Sequence, residues 1–170
     1  MDLSKFRNLK SPYVIILVGP PLAGKSTFVR EFIDKIDPDV EIISRDDIVI
    51  ELSDSDDYST AFNTVNQKQV DRELTAKLVN AGEEGLNTII DMTHMTSKRR
   101  KQNLNFFDDD YYKMCVIFPF ISDEEYQKRN QKRKAEENKD IPLHIVKRMM
   151  SQYQNIKPDE GFDKTISING

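Results

Sequence analysis

The stretch YVIILVGPPLAGKST, residues 13–27, contains an unbroken apolar run that leads into a turn rich in glycine and proline. A short, wholly apolar run of this kind is typical of a strand buried on both faces of a parallel sheet. After the turn, Phe28, Phe32 and Ile36 recur at helical spacing, and Pro38 ends the pattern. We therefore expect a strand, a tight turn and an amphipathic helix in immediate succession.

The turn matches the pattern G-x-x-x-x-G-K-[ST] from Gly19 to Ser26. In this context the backbone N–H groups of the turn and of the following helix form a nest for anions. The pattern predicts that Lys25 reaches the β- and γ-phosphates of ATP and that the Ser26 hydroxyl ligates Mg²⁺. A turn that merely happens to contain lysine is the alternative. The residues predicted to contact the nucleotide here are Gly19, Leu22, Ala23, Gly24, Lys25, Ser26 and Thr27. Leu22 stands where such loops usually carry glycine, so we expect it to adopt a backbone conformation that other residues favour.

Four further apolar runs predict strands, which places the predicted strands at residues 13–18, 40–44, 88–91, 114–118 and 164–168. Helical patterns alternate with them. This alternation predicts right-handed crossovers and a doubly wound α/β fold with a mainly parallel, five-stranded sheet. The length of 170 residues predicts a single domain over residues 1–170.

Several helix boundaries can also be predicted. One helical pattern joins four apolar residues, namely Phe62, Val70, Leu74 and Leu78. Gly82 is placed to be its C-terminal cap. Ser122 and Glu125 form a capping-box pattern that opens another helix, and Pro142 begins the last one. The polar, acidic residues 53–60 predict a loop.

Composition narrows the class of protein. The net charge of −4 argues against a broadly basic surface for nucleic acid, although it leaves room for a local basic groove. Cys115 is the only cysteine, lies in an apolar run, and is expected to be a packed core thiol. The first residues lack the apolar core of a signal peptide, and no apolar run approaches the ~18 residues of a membrane span. We expect a cytoplasmic protein that does not act at a membrane.

The second predicted strand leads into an acidic pair, Asp46 and Asp47. Ligands in open α/β sheets bind beyond the carboxyl ends of the strands, so Asp46 is expected to face the phosphate loop. An aspartate there can accept the proton of an attacking hydroxyl. The alternative is that one of the two acids, and Asp47 as readily as Asp46, is the N-cap of the next helix.

The third predicted strand also ends in an acid, Asp91, within the sequence TIIDMTH. An aspartate in this position commonly holds Mg²⁺ directly or through water. The alternative is a cap for a helix that begins near Ser97. His94, three residues later, is a candidate contact for the substrate, and its alternative is a solvent-facing loop histidine.

Arg129 and Arg133 lie four residues apart on the helix that Ser122 opens, so they share one face. Two guanidinium groups on one face can clamp phosphate oxygens and stabilise the charge of a transferring phosphoryl group. A solvated basic surface is the alternative. In the same domain as a phosphate loop, the pair favours a helical lid.

Taken in order, these elements resemble the kinase module of the phage-type polynucleotide 5′-kinase family over about residues 13–156. Lys25 and Ser26 match its phosphate loop, and Asp46 matches its general base. The D-M-T-H sequence from Asp91 to His94 matches its D-x-T-N element, with histidine in place of asparagine. Arg129 and Arg133 match its lid arginines; the resemblance implies that all of these positions act in catalysis or binding.

Two positions bear on the acceptor. Val49 stands where the family has an arginine that docks the phosphate of the acceptor. Arg100 matches another basic position of the family, and the resemblance implies that it holds the acceptor strand. It belongs to the run KRRK, residues 98–101, which would make this region locally positive. A solvated basic patch is the alternative.

The sequence therefore predicts an enzyme that transfers the γ-phosphate of ATP, with Mg²⁺, to the 5′-hydroxyl end of DNA or RNA. One alternative is a kinase of the same fold that acts on a nucleoside, a sugar or a nucleotide-sugar, which the absence of an arginine at Val49 favours. Another is a nucleotide-dependent binding module without transfer activity, for which Leu22 is the only support.

Overall fold

The structure is a computed structural model and describes residues 1–55 and 57–168. Within these residues five strands form one parallel sheet: β1 (Tyr13–Val18), β2 (Glu41–Ser44), β3 (Thr88–Asp91), β4 (Tyr112–Ile117) and β5 (Lys164–Ser167). The strand order across the sheet is β2-β3-β1-β4-β5. The carboxyl ends of β1, β2, β3 and β4 therefore lie along one edge, where ligands of open α/β sheets bind.

Seven α-helices connect and flank these strands in the described part of the chain: α1 (Lys25–Lys35), α2 (Arg45–Glu51), α3 (Tyr58–Thr64), α4 (Gln67–Glu83), α5 (Ser97–Leu104), α6 (Asp123–Glu137) and α7 (Leu143–Ser151). Short 3₁₀ helices span Ser4–Phe6 and Pro158–Glu160. The α/β fold with a five-stranded parallel sheet, as predicted from the alternation of patterns, is confirmed.

The central strand β1 explains why its sequence is apolar throughout. It pairs with β3 on one side and with β4 on the other, so it has no exposed edge. Val14, Ile16 and Val18 belong to the core cluster on one face of the sheet. Ile15 and Leu17 belong to the cluster on the opposite face. A strand covered by helices on both faces has no position at which a polar side chain would reach water.

The predicted helix boundaries need three corrections. Phe62 is not part of the stripe on α4; it lies on the separate helix α3 and is 45% exposed. The break occurs because Asn66 caps α4, its side chain accepting from the N–H groups of Lys68 and Gln69. The loop predicted at residues 53–60 is shorter than expected, because Asp57 caps α3 and the helix begins at Tyr58.

Gly82 is not a C-terminal cap, because α4 continues through it to Glu83. A Cβ atom at this position would lie 2.0 Å from the carbonyl oxygen of Phe106. Glycine is thus needed at this position because the backbone that follows α5 packs closely against α4. The conformational freedom of glycine is not what the position requires.

Other expectations agree with the structure. Ser122 caps α6 by accepting from the N–H group of Glu125, and Pro142 stands immediately before α7. Cys115 is buried in the core, and burial raises the pKa of its thiol to about 12. Within the described ranges, no helix is long and apolar enough to cross a membrane.

Candidate active site

The phosphate loop joins β1 to α1 at the carboxyl edge of the sheet. Gly24 is the N-cap of α1 and has φ of 104°, a left-handed conformation that glycine adopts without strain. Leu22 has φ of 64°, so it also occupies the left-handed region. The expectation that Leu22 would avoid a glycine-like conformation is therefore wrong. Leu22 therefore has the left-handed backbone conformation that glycine would have at this position, although a side chain makes that conformation less favourable.

Lys25 is the first residue of α1 and is buried. Its Nζ donates to the carbonyl oxygens of Gly19, at 2.9 Å, and Pro20, at 2.7 Å. Burial lowers the pKa of Lys25 to about 8, while the charges of Asp91 and Asp46 act in the opposite direction. The ammonium group thus lies across the loop, bonded to two groups that a phosphate could replace.

Asp46 lies in the first turn of α2, directly after the end of β2. Its Oδ1 accepts from the Tyr58 hydroxyl at 2.9 Å, and its Oδ2 lies 2.5 Å from the Nζ of Lys139. Burial by itself would raise the pKa of Asp46, but Lys139, Tyr58 and Arg133 outweigh it and hold the pKa below its usual value. The carboxylate is therefore kept ionised, as a proton acceptor must be.

The alternative of an acidic N-cap is wrong for both aspartates. Ser44, the last residue of β2, caps α2 by accepting from the N–H group of Asp47. The two acids occupy the first turn of the helix instead, where negative charge is favoured by the helix dipole. Burial raises the pKa of Asp47, in contrast to that of Asp46.

Asp91 ends β3 and is in register with Ser44 of β2. Thr96, and not Asp91, caps the helix that begins at Ser97, so the capping alternative is wrong. Burial raises the pKa of Asp91, with the charge of Lys25 opposing this effect. The carboxylate therefore belongs to the same group of charges as Asp46 and the phosphate loop.

A Mg²⁺ ion would suit the chemistry of Ser26 and Asp91, since a hydroxyl and a carboxylate are the oxygen ligands that this ion prefers. Ser26 is exposed on the first turn of α1. Among the described residues, no group of three or more His, Cys, Asp or Glu side chains could hold a metal alone.

The sequence suggests that His94 either contacts the substrate or faces solvent. Both expectations are wrong, because His94 is buried. Its Nδ1 lies 2.8 Å from the carbonyl oxygen of Leu17, and its Nε2 lies 2.9 Å from the Nδ2 of Asn103. Burial lowers the pKa of His94 to about 4, so the ring is neutral near pH 7. A neutral ring donates from Nδ1 and accepts at Nε2, which satisfies both partners.

Arg100 is also buried, and the expectation that it holds an acceptor strand is wrong. Its Nε and Nη2 donate to the two carboxylate oxygens of Glu160 at 2.6 and 2.8 Å. Its Nη1 donates to the carbonyl oxygen of His94, and its Nη2 also donates to that of Gln154. In the same basic run Lys101 pairs with Asp159, so the region is less positive than the sequence indicates.

The lid arginines lie on α6, as predicted. Arg129 donates from Nη1 to the carbonyl oxygen of Leu22 at 2.9 Å and pairs with Glu125 on its own helix. Arg133 pairs with Glu137, and its charge acts on Lys25 and Asp46. The helix thus reaches the phosphate loop through the side chain of Arg129, which contacts the loop backbone.

Val49, on α2 one turn after Asp46, is fully buried in the core. Its side chain packs in the core cluster on one face of the sheet, and it supplies no cation there.

The sequence did not reveal two residues at the site, Tyr58 and Lys139. The sequence predicts a loop at Tyr58, and Lys139 lies in a polar stretch after helix α6. Ninety-three positions separate Lys139 from Asp46, its partner in the ion pair. Only the folded chain brings these side chains together, and no local pattern indicates it.

The family with the description AAA domain matches residues 14–156, from β1 to beyond α7. Because the match covers most of the chain, the protein belongs to this family of AAA domains. Its fold is the α/β fold of P-loop kinases, and it is a nucleotide-binding domain of that type.

Three solved structures share the fold. A chain of the Pnkp1/Rnl/Hen1 complex is 25% identical, with a TM-score of 0.55, over 72% of this chain and 41% of that one. Kti12 from Chaetomium thermophilum, in complex with ADP-AlF3, is 13% identical with a TM-score of 0.64, over 91% and 88% of the two chains. A gluconokinase from Sinorhizobium meliloti 1021 is 11% identical with a TM-score of 0.53, over 94% and 83%. The present chain thus spans less than half the length of the first of these and most of the other two.

Proposed function

We propose that this protein transfers the γ-phosphate of ATP to the 5′-hydroxyl end of a DNA or RNA strand, with Asp46 as the general base. The observation that carries the proposal is the arrangement of charges at one sheet edge. An ionised Asp46 lies within electrostatic reach of Lys25 in the phosphate loop and of Arg133 on the lid. A base, a phosphate-binding cation and a lid cation are what transfer to a hydroxyl requires.

In the proposed reaction the acceptor hydroxyl loses its proton to Asp46 as its oxygen forms a bond to the γ-phosphorus. The bond from that phosphorus to the bridging oxygen of the β-phosphate breaks, and ADP leaves. Lys25 exchanges its bonds to Gly19 and Pro20 for phosphate oxygens, and Arg129 and Arg133 stabilise the charge that develops on them. Ser26 and Asp91 would hold a Mg²⁺ ion, which would neutralise phosphate charge.

Two findings support a polynucleotide as the acceptor. A chain of the Pnkp1/Rnl/Hen1 complex is 25% identical to this protein. In addition, the ring of Phe62 is exposed and lies 6.0 Å, centroid to centroid, from that of Tyr58, which bonds to Asp46. An exposed aromatic ring beside Tyr58, the hydrogen-bond partner of Asp46, is a surface on which a nucleobase of the acceptor can stack.

The test is transfer of label from γ-labelled ATP to an oligonucleotide with a 5′-hydroxyl end. The same oligonucleotide with a 5′-phosphate is the matched control, because it lacks the accepting hydroxyl. Asp46→Asn should lower turnover by about 10²–10⁴-fold while ATP still binds, since it removes only the proton acceptor. Asp47→Asn, one residue further along the same helical turn, should keep its activity. If the two variants exchange these behaviours, Asp47 is the base.

A second candidate is a kinase that acts on a small metabolite, and both the absence of an arginine at Val49 and the burial of Arg100 favour it. Neither position can offer a cation to an acceptor strand. Labelling of a nucleoside or sugar, with none of the oligonucleotide, would establish this function instead. Phe62→Ala also separates the two: it should weaken use of an oligonucleotide, whereas Val79→Ala, another exposed apolar residue, should not. If the protein is a sugar kinase, neither substitution should change its activity on the sugar.

A further inference from the structure

The turn between α6 and α7, residues 138–142, is here called the lid turn. It carries Lys139, which is only 8% exposed. A lysine is rarely buried to this degree unless its charge is paired. Lys139 has two partners: its Nζ lies 2.5 Å from Oδ2 of Asp46 and 3.7 Å from the centroid of the Tyr58 ring. The ammonium group is thus held between the proposed base and an aromatic face.

The carboxylate of Asp46 is held at both oxygens. Tyr58 donates its hydroxyl hydrogen to Oδ1, and Lys139 binds Oδ2. Tyr58 therefore contacts Asp46 through its hydroxyl and Lys139 through its ring. Three side chains from α2, α3 and the lid turn fix one another, and the orientation of the carboxylate depends on the position of the lid turn.

The lid turn is bonded to the lid helix α6. Tyr126 donates its hydroxyl hydrogen to the carbonyl oxygen of Ile141 at 2.6 Å. Asn130 donates to Oδ1 of Asp140 at 2.7 Å, and Lys134 pairs with the other oxygen of that carboxylate. Helix α6 thus contacts the phosphate loop through Arg129, and it also holds the lid turn, on which Lys139 lies.

We propose that Lys139 is a positioning residue that couples the lid to the base: when α6 lies over the phosphate loop, Lys139 orients the Asp46 carboxylate for the acceptor. The inference rests on the proposed role of Asp46. It gives the lid a function on the acceptor side as well as on the donor side. The same placement of α6 that sets Arg129 against Leu22 also sets Lys139 against Asp46.

The pH dependence of activity should report this contact. The charged and titratable groups that act on Asp46 lie on several elements: Lys139, Tyr58, Arg133, Lys25, Asp47 and Asp91. Burial raises the pKa of Asp46, and the charge of Lys139 is the largest influence that lowers it. Without Lys139 the pKa of Asp46 should rise, so a larger fraction of the base is protonated at a given pH. The acidic limb of the activity profile should then move to higher pH.

The decisive variant is Lys139→Met, with Lys139→Gln as a second neutral replacement in case the first does not fold. We expect turnover at pH 7 to fall by about tenfold or more, and the acidic limb of turnover to move up by about one pH unit or more. The KM for ATP should stay within about twofold, because the direct contacts of Lys139 are to Asp46 and Tyr58. Lys139→Arg keeps the charge and should return the acidic limb toward its original position. Lys132→Met, which removes an exposed lysine of α6, should match the unmodified protein.

A titration of the Asp46 carboxyl carbon by NMR, in the unmodified protein and in Lys139→Met, gives a readout that needs no activity. We expect the pKa of Asp46 to be higher in the variant. An unchanged acidic limb, or an unchanged pKa of Asp46, would overturn the role of Lys139. Failure of the unmodified protein to label any acceptor would contradict the proposed function instead, so the two failures can be told apart.

Discussion

Arg100 and Arg129 are both arginines that the sequence associates with phosphate or nucleic acid, yet the fold uses them in opposite ways. Arg100 and its partner Glu160 have fully buried side chains and form a paired, bidentate contact. Arg129 stays partly exposed on the lid and touches the backbone of the phosphate loop. Both lie close in sequence to other basic residues. The difference lies in their partners, which come from distant parts of the chain.

This comparison separates a structural cation from one that we propose to act in catalysis. Arg100 bonds to the carbonyl oxygens of His94 and Met95, in the loop that follows Asp91, and to that of Gln154. It therefore joins the loop that carries a candidate ligand of Mg²⁺ to the chain after α7. Arg100 supports the site without reaching it, whereas Arg129 contacts the backbone of the phosphate loop.

The largest expected effect is on stability. Arg100→Met leaves the Glu160 carboxylate buried without its partner, which typically costs about 3–5 kcal/mol of unfolding free energy. Urea unfolding followed by circular dichroism measures this. A loss much smaller than this would mean that water reaches Glu160 and that the pair is less buried than the structure shows.

His94, which packs in the same interior region, should make stability depend on pH. Its pKa is about 4 in the folded protein, below the ordinary value of 6.5, so the unfolded chain binds the proton first as pH falls. The unfolding free energy should therefore decrease between about pH 6.5 and pH 4, by about 3 kcal/mol in total from this group. Above pH 6.5 His94 should have no effect. Because carboxylates also titrate in this range, the measurement is the difference in pH dependence between the unmodified protein and His94→Asn.

Arg129→Ala should affect activity and not stability, which would complete the contrast with Arg100. Loss of a cation that stabilises developing charge should lower turnover by about 10²-fold. The midpoint of urea unfolding should stay where it is, since the side chain is partly exposed. Arg129→Lys should restore little, because a point charge cannot replace the planar fork. Full turnover in the alanine variant would mean that Arg129 is part of a solvated basic surface and has no role in catalysis.

The smallest effect is expected next to Arg100 itself. Lys101 pairs with Asp159 at 2.9 Å, and both side chains are largely exposed. Surface pairs of this kind contribute little to stability and are screened by salt. Lys101→Met should leave both the unfolding midpoint and turnover unchanged. A clear loss of oligonucleotide use in this variant would instead restore the basic run as an acceptor surface.

Much of the fold could be predicted because it depends on local patterns. The predicted bounds of β1 and β3 are the observed ones, those of β2 and β5 differ by one residue at one end, and those of β4 differ by two residues at the start and one at the end. The errors fall where a polar cap interrupts an apolar stripe, as Asn66 does after Phe62, or where glycine serves packing, as Gly82 does. In both cases the sequence pattern is real, but a competing cap or a distant backbone decides the outcome.

The sequence by itself determined the phosphate loop, the acids that follow β2 and β3, and the pair of arginines on the lid helix. Each of these follows from residue types at a fixed spacing within one or two elements. The burial of Arg100 and His94 and the contact of Lys139 with Asp46 were decided by the tertiary structure alone. These depend on partners such as Glu160, Leu17 and Asp46, sixty to ninety-three positions away. Whether a charged side chain is buried and paired or exposed and available depends on such long-range partners, which no local spacing encodes.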